Sequence, residues 1–235
     1  MMPRMGGKRL IQILGLLAAV TTFGFAAGQA GAATVTAEVS CCNFTAGPFT
    51  QAQGEQSVFE NPPEGAFHNA TSTGNGPDGA DLFISETVTG GSTVPIAGTE
   101  YLTAGTYSFV CTLHPGMDGD LEVEDTGTAV PRPSVALSIP AQKLKQVKKK
   151  NKVKVKVKGR TLSNGVRLVL LKGKQKLSAP LKLNLSAGAT RTVSVKLHDA
   201  GRKAVKKVQQ GKKLKVTASS TVPFGKPAKA SRALR

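Results

Sequence analysis

Hydrophobic and polar positions alternate along much of this chain, with a period of two. Lys152–Lys158 reads Lys-Val-Lys-Val-Lys-Val-Lys, so Val153, Val155 and Val157 share one side and the lysines the other. Leu181, Leu183 and Leu185 repeat the pattern, as do Val193, Val195 and Leu197, and then Leu214, Val216 and Ala218. Such alternation predicts half-buried antiparallel strands. Val135–Ile139 is a further strand candidate, Ala200–Gln210 reads as a short helix, and Phe224–Arg235 is expected to fray. The first half carries shorter runs. Thr34–Val39 alternates, Gln56–Glu60 is ended by Asn61-Pro62-Pro63, and Asp81–Glu86 and Glu100–Leu102 look extended. Thr106–Thr112 has the β-branched and aromatic residues that strands favour, and Leu121–Val123 follows a glycine-bearing turn. Gly and Pro separate these runs at roughly 8–12-residue intervals, as in a β-sandwich or barrel. The expected fold class is all-β.

Charge divides the chain more sharply than hydropathy does. The formal net charge is +18 over 235 residues. Residues 33–130 contain 13 Asp and Glu and no Lys or Arg, whereas residues 131–235 contain 29 Lys and Arg and one acid, Asp199. A single well-mixed domain does not segregate charge in this way. Pro131-Arg132-Pro133 marks the junction. Two β modules are therefore expected, an acidic one over 33–130 and a basic, lysine-rich one over 131–235.

The first 32 residues carry three basic residues and no acid. Arg4, Lys8 and Arg9 precede the apolar run Leu10–Val20, and Ala30-Gly31-Ala32 is a small-x-small cleavage pattern. Residues 1–32 read as a signal peptide cleaved after Ala32. The alternative is an uncleaved anchor, because residues 10–33 carry no charge over a span long enough to cross a bilayer. Either way the protein is exported, to the medium, the cell wall or a periplasm, where disulfides persist.

One constellation carries chemistry. Cys111, His114 and Met117 fall within seven residues at the end of a predicted strand, and His68 stands upstream in Phe67-His68-Asn69. Two imidazoles, one thiolate and one thioether match the set that holds electron-transfer copper. The soft sulfurs suit Cu(I) and the imidazoles suit both oxidation states, so little rearrangement accompanies electron transfer. Other chemistry is excluded on sequence grounds. Cys-x-x-Cys-His, His-Glu-x-x-His and a Walker-type Gly-Lys loop are all missing. Three histidines are too few for a trinuclear copper oxidase site.

The segment Phe-Val-Cys-Thr-Leu-His-Pro-Gly-Met, residues 109–117, resembles the ligand loop of the cupredoxins, the blue-copper proteins that include plastocyanin, pseudoazurin and amicyanin. Its short Cys-x2-His-x2-Met spacing is most similar to amicyanin. The resemblance covers roughly residues 34–125. It implies a Greek-key β-sandwich binding one type 1 copper ion, with His68, Cys111 and His114 as strong ligands and Met117 as the axial one. It implies further that Asn69 ties the two ligand segments together, and that the His114 edge, beside Leu113 and Pro115, is the electron port. The chain departs from the family around residues 57–65 and 72–81, and in the pair Cys41-Cys42, for which a vicinal disulfide, free thiols, metal binding and intermolecular bridging all stand open.

The expected function is that of a one-electron carrier, not an enzyme, with a redox partner protein docking at the His114 face. The alternative is a copper storage or delivery protein of the cell envelope. The basic half is read as an immunoglobulin-like sandwich, either a solvated shell or an adhesive for anionic wall polymer or membrane surface. Specific nucleic-acid binding is not expected, since Phe224 is the sole aromatic available for stacking there. His198 is expected to lie solvated in a turn.

Overall fold

Alternating patterns bury one face of each strand, and two separate cores result. The computed structural model describes residues 31–209 and 211–235, so the signal peptide expected over residues 1–32 lies almost wholly outside the described residues. No described helix is long and apolar enough to cross a membrane. The fold is all-β.

The acidic half comprises β1 (Thr34–Thr36), β2 (Phe49–Gln53), β3 (Val58–Asn61), β4 (Thr71–Ser72), β5 (Ile84–Ser85), β6 (Ser92–Ala97), β7 (Gly105–Val110) and β8 (Asp118–Gly127). Their order is β1-β3-β6-β5-β4-β7-β8-β2, and β1–β3 and β2–β8 are parallel pairs. The sheet curls over a phenylalanine core. Phe59 on β3 and Phe109 on β7 are both fully buried, and both meet Phe44, at ring separations of 6.2 and 4.8 Å. Strands far apart in sheet order thus face one another across one interior. A buried polar network fastens the parallel arm. Gln51 donates to the Thr99 carbonyl at 3.0 Å, and the Ser57 N–H donates to the Thr99 hydroxyl at 2.9 Å.

Of Glu100–Leu102, expected as extended chain, Glu100 and Tyr101 instead belong to a 3-10 turn, Thr99–Tyr101, and only Leu102 is extended. Local hydrogen bonds decide this. The Thr99 hydroxyl donates to the Ile96 carbonyl at 2.9 Å, and the Glu100 carboxylate accepts the Gly98 N–H at 2.8 Å. These side chains satisfy groups that a sheet ladder would otherwise have claimed.

The basic half continues with β9 (Val135–Ser138), α1 (Leu144–Lys150), β10 (Lys152–Gly159), β11 (Ser163–Lys172), β12 (Gln175–Lys176), β13 (Leu181–Leu185), β14 (Thr190–Lys196), α2 (Asp199–Lys206), β15 (Leu214–Thr221) and β16 (Ala228–Leu234). β14-β10-β9 form one antiparallel sheet, and β12-β11-β15-β16 with β13 form a second. The two share a core of Val, Leu, Ile and Ala drawn entirely from residues 135–234. Along β10 every valine is buried and every lysine exposed, as the alternation requires.

Two expectations for this half need correction, and one helix was not expected. Residues 224–235 are not frayed: β16 pairs with β15 over seven residues, and Leu234 is fully buried. Arg and Lys on the open face had masked a half-buried edge strand. His198 is not simply solvated. Its Nδ1 accepts the Gly201 N–H at 3.0 Å and caps α2, satisfying one of the orphan donors of a helix start. The lysine run 148–150 closes a short helix that the strand patterns did not suggest. Leu144 and Val147, three apart, bury one face, the lysines sit in the last turn where the helix dipole favours cations, and Asn151 ends it at φ 51°.

The two halves meet at the tip between β15 and β16. Phe224, at the tip between β15 and β16, donates its N–H to Asp78 at 3.0 Å. Its ring stands 6.1 Å from that of Tyr101, and Arg132 donates to its carbonyl at 3.3 Å. Among the described residues no ion pair joins the acidic half to the basic one; the single ion pair is Arg202 with Asp199. The contact lies at the end of the acidic half remote from Cys111. Thr71 pairs with Val110 and Ser72 with Phe109, so the chain runs away from Cys111 towards the Asn75–Asp81 hairpin that carries Asp78.

Candidate metal centre

Four segments converge at the other end. β7 ends at Val110, and Cys111 follows it inward, 3% exposed. The next six residues fold back in successive tight turns. His114 N–H donates to the Cys111 carbonyl at 3.4 Å, and Met117 N–H to the His114 carbonyl at 3.2 Å. The Cys111 N–H then donates to the Met117 carbonyl at 2.9 Å and closes the loop. Gly116 supplies the left-handed residue that this reversal needs, at φ 82°. The outcome is a loop with Cys111 and Met117 buried at its base and His114 part-exposed near its tip.

His68 reaches the same point from the other side. Its backbone exchanges two hydrogen bonds with Val88, of 3.1 and 3.0 Å. Asn61 holds the preceding loop by donating to the Ala66 carbonyl at 2.6 Å and the Val88 carbonyl at 3.0 Å. The His68 ring is fully buried. Its Nδ1 lies 3.8 Å from the Cys111 sulfur, and His114 Nδ1 lies 3.5 Å from the same atom. The two imidazole centroids are 4.6 Å apart.

Asn69 joins the segments directly. Its Oδ1 accepts the Thr112 N–H at 2.9 Å, and its Nδ2 donates to the hydroxyls of Thr112 at 2.8 Å and Thr87 at 3.0 Å. Cys111 is the one free thiol among the described residues. Burial, and then the nearby His114, lower the proton affinity of His68 below the ordinary histidine range. A neutral imidazole is the form that binds metal.

The donor chemistry fits one copper ion. Two ring nitrogens at 3.5 and 3.8 Å from one sulfur, all three within 4.8 Å of one another, are spaced as donors that share an ion through bonds of about 2.0–2.3 Å. Thiolate with imidazole is the ligand mixture that copper takes. The site is shut to bulk water except along the His114 edge, where Leu113 and Phe67, the chain neighbours of the two histidines, are exposed.

All five expected site residues lie in this one region: His68, Asn69, Cys111, His114 and Met117. The partners Thr112, Thr87 and Val88 were not anticipated, and nothing in their spacing marks them. Cys41 and Cys42 form a vicinal disulfide. It sits against the site, since both sulfurs and a ring nitrogen of His114 lie within 4.8 Å of one another.

No protein-family model and no curated protein matches the chain. Solved structures do. An amicyanin from Paracoccus versutus is 27% identical over 40% of this chain and 81% of its own, with a TM-score of 0.32. A copper-containing nitrite reductase from Thermus scotoductus is 22% identical over 41% of this chain and 23% of its own, at 0.31. The BSP domain of a biofilm associated protein is 14% identical over 78% of this chain and 28% of its own, at 0.25. With TM-scores this low, function has to be argued from the donor geometry.

Proposed function

We propose that residues 33–130 form a cupredoxin-like type 1 copper domain acting as an exported one-electron carrier. His68 and His114 through Nδ1, the Cys111 thiolate and the Met117 thioether would hold the ion. The convergence of two histidines from separate segments on one buried free thiol, at 3.8 and 3.5 Å, carries this reading. Bound there, copper supplies a one-electron couple without breaking any bond in a substrate.

The chain's own residues do the rest. Asn69 locks the His68 segment to Thr112, beside Cys111, so the donors keep their spacing in both oxidation states. The Phe core behind Cys111 keeps water away. His114, part-exposed beside Leu113 and Pro115, gives the shortest path to a redox partner docked on that face. Thirteen acidic residues on this half would steer a basic partner towards it.

The basic half, read as an immunoglobulin-like module, hangs from the far end and leaves the His114 face free. Its lysines would adhere to anionic wall polymer or membrane surface in a salt-sensitive way. The alternative role is copper storage or delivery, and the cysteine pair beside His114 is the observation that favours it.

The test is an absorption and electron paramagnetic resonance spectrum of the copper-loaded chain. Intense colour from thiolate-to-copper charge transfer is expected, and Cys111→Ser should bleach it. A colourless wild-type copper protein overturns the reading. Reversible cycling without copper loss separates a carrier from a delivery protein.

A further inference from the structure

We infer that Cys41 and Cys42, once reduced, combine with His114 as an entry site for Cu(I), from which the ion passes inward to the buried donors. The inference rests on the copper reading above.

Position is the first argument. Ala37 and Phe44 bridge as a narrow hairpin, closed by the Glu38 N–H donating to the Asn43 carbonyl at 2.9 Å. The cysteines occupy its tip, both in the left-handed backbone region at φ 68° and 80°. That region is uncommon for residues with a Cβ. Here the two sulfurs, joined as a disulfide, both stand within 4.8 Å of a His114 ring nitrogen. Cys41, Cys42 and His114 are all part-exposed, whereas Cys111 and His68 are buried. An ion arriving from solvent therefore meets the outer three donors first.

Chemistry is the second argument. Two thiolates and an imidazole form a soft, low-coordinate set that selects Cu(I). His114 belongs to both groups, since its Nδ1 is also 3.5 Å from the Cys111 sulfur. A small rotation of one ring would carry the ion from the outer sulfurs to the inner one, by ligand exchange with no change in oxidation state.

As a disulfide the pair offers no thiolate, so loading is gated by redox state. A dithiol reductant opens the gate. One of its sulfurs attacks Sγ of one cysteine and the other Sγ leaves. The donor's second thiol then closes its own disulfide, so that two electrons and two protons pass to Cys41 and Cys42. Binding of Cu(I) displaces the thiol protons to solvent.

The experiment uses the full chain, anaerobically, with Cu(I) offered as its complex with a chromophoric chelator. In the Cys111→Ser background the disulfide form, left with two imidazoles and a thioether, should bind Cu(I) weakly. The dithiol form should bind one equivalent about tenfold or more tightly, and Cys41→Ser/Cys42→Ser in that background should remove the gain. In the wild-type chain the dithiol form should load faster than the disulfide form by about tenfold or more, the range over which residues around a metal site alter metal binding. Equal affinity in the dithiol form and the triple variant, or equal loading rates of the two wild-type forms, overturns the inference. Colour in the copper-loaded wild type reports separately on the copper reading. A coloured protein without redox-gated loading leaves that reading standing and removes only this one.

Discussion

Asn69 and Thr112 hold each other by two hydrogen bonds, of 2.8 and 2.9 Å, across 43 residues of sequence. No other side chain among the described residues bonds directly from the His68 segment to the backbone of the Cys111 loop. Asn69→Ala leaves the Thr112 N–H without its acceptor. The cost should be about 1–3 kcal/mol in the unfolding free energy of the apo-protein. Copper affinity should fall about 10–100-fold, because the two histidine donors lose their common anchor. Chemical denaturation and competition against a copper chelator would measure the two effects. If both stay at wild-type values, Asn69 has no positioning role.

His68 gives a pH dependence of definite sign. Burial and the neighbouring His114 lower its proton affinity in the folded chain. The unfolded chain therefore binds the proton more readily, with an ordinary value of about 6.5. Above that pH the group contributes its full share of stability. As pH falls below it, the apo-protein loses that share until His68 is protonated in the folded state as well. Thermal melts of apo-protein between neutral and mildly acidic pH should show the decline. His68→Gln should flatten part of it, and an unchanged slope in that variant would refute the assignment.

Phe224 and Gly98 define the joint between the halves. A Cβ on Gly98 would lie 2.8 Å from the Phe224 ring and 2.5 Å from the Leu82 carbonyl, and its φ of 103° already disfavours any other residue. Phe224→Ala should leave both cores folded but release the joint, seen as faster proteolysis between residues 127 and 134. Gly98→Ala should release it too and, in addition, destabilise the acidic half by about 1–2 kcal/mol through its backbone. The copper spectrum should not change in Phe224→Ala. β4 carries the chain away from Cys111 towards the Asn75–Asp81 hairpin, so the joint lies at the opposite end from the metal centre. A shifted spectrum would mean that the halves communicate through the sandwich.

The sequence made the donor set legible because sulfur and imidazole are rare in this chain, with three Cys and three His. Strands with long alternation, such as β10, were equally plain. Short strands were not: β4 and β5 have two residues each and carry no period. Their pairing is imposed by the neighbours β6 and β7. The Thr99–Tyr101 turn depends on side-chain bonds that spacing does not encode. The place of Cys41-Cys42 beside His114 is a tertiary fact, since the hairpin tip and the metal loop are far apart in sequence.

The C-terminal strand offers the sharpest contrast between pattern and packing. Residues 228–234 read Ala-Lys-Ala-Ser-Arg-Ala-Leu, with only one large apolar side chain, yet Leu234 is fully buried and pairs with Leu214. The Arg235 carbonyl accepts the Leu144 N–H and ties the strand to the start of α1. Leu234 therefore closes the core at the point where helix and sheet meet. Leu234→Ala should cost about 2–5 kcal/mol, the range for emptying a buried leucine site. The loss should appear in the unfolding of the basic half, with the copper spectrum of the acidic half retained. Deleting residues 228–235 should expose the β15 edge as well and drive association through it. Differential scanning calorimetry and light scattering would follow the two effects. A Leu234→Ala protein that melts with the wild type would mean that the end of the chain is frayed after all.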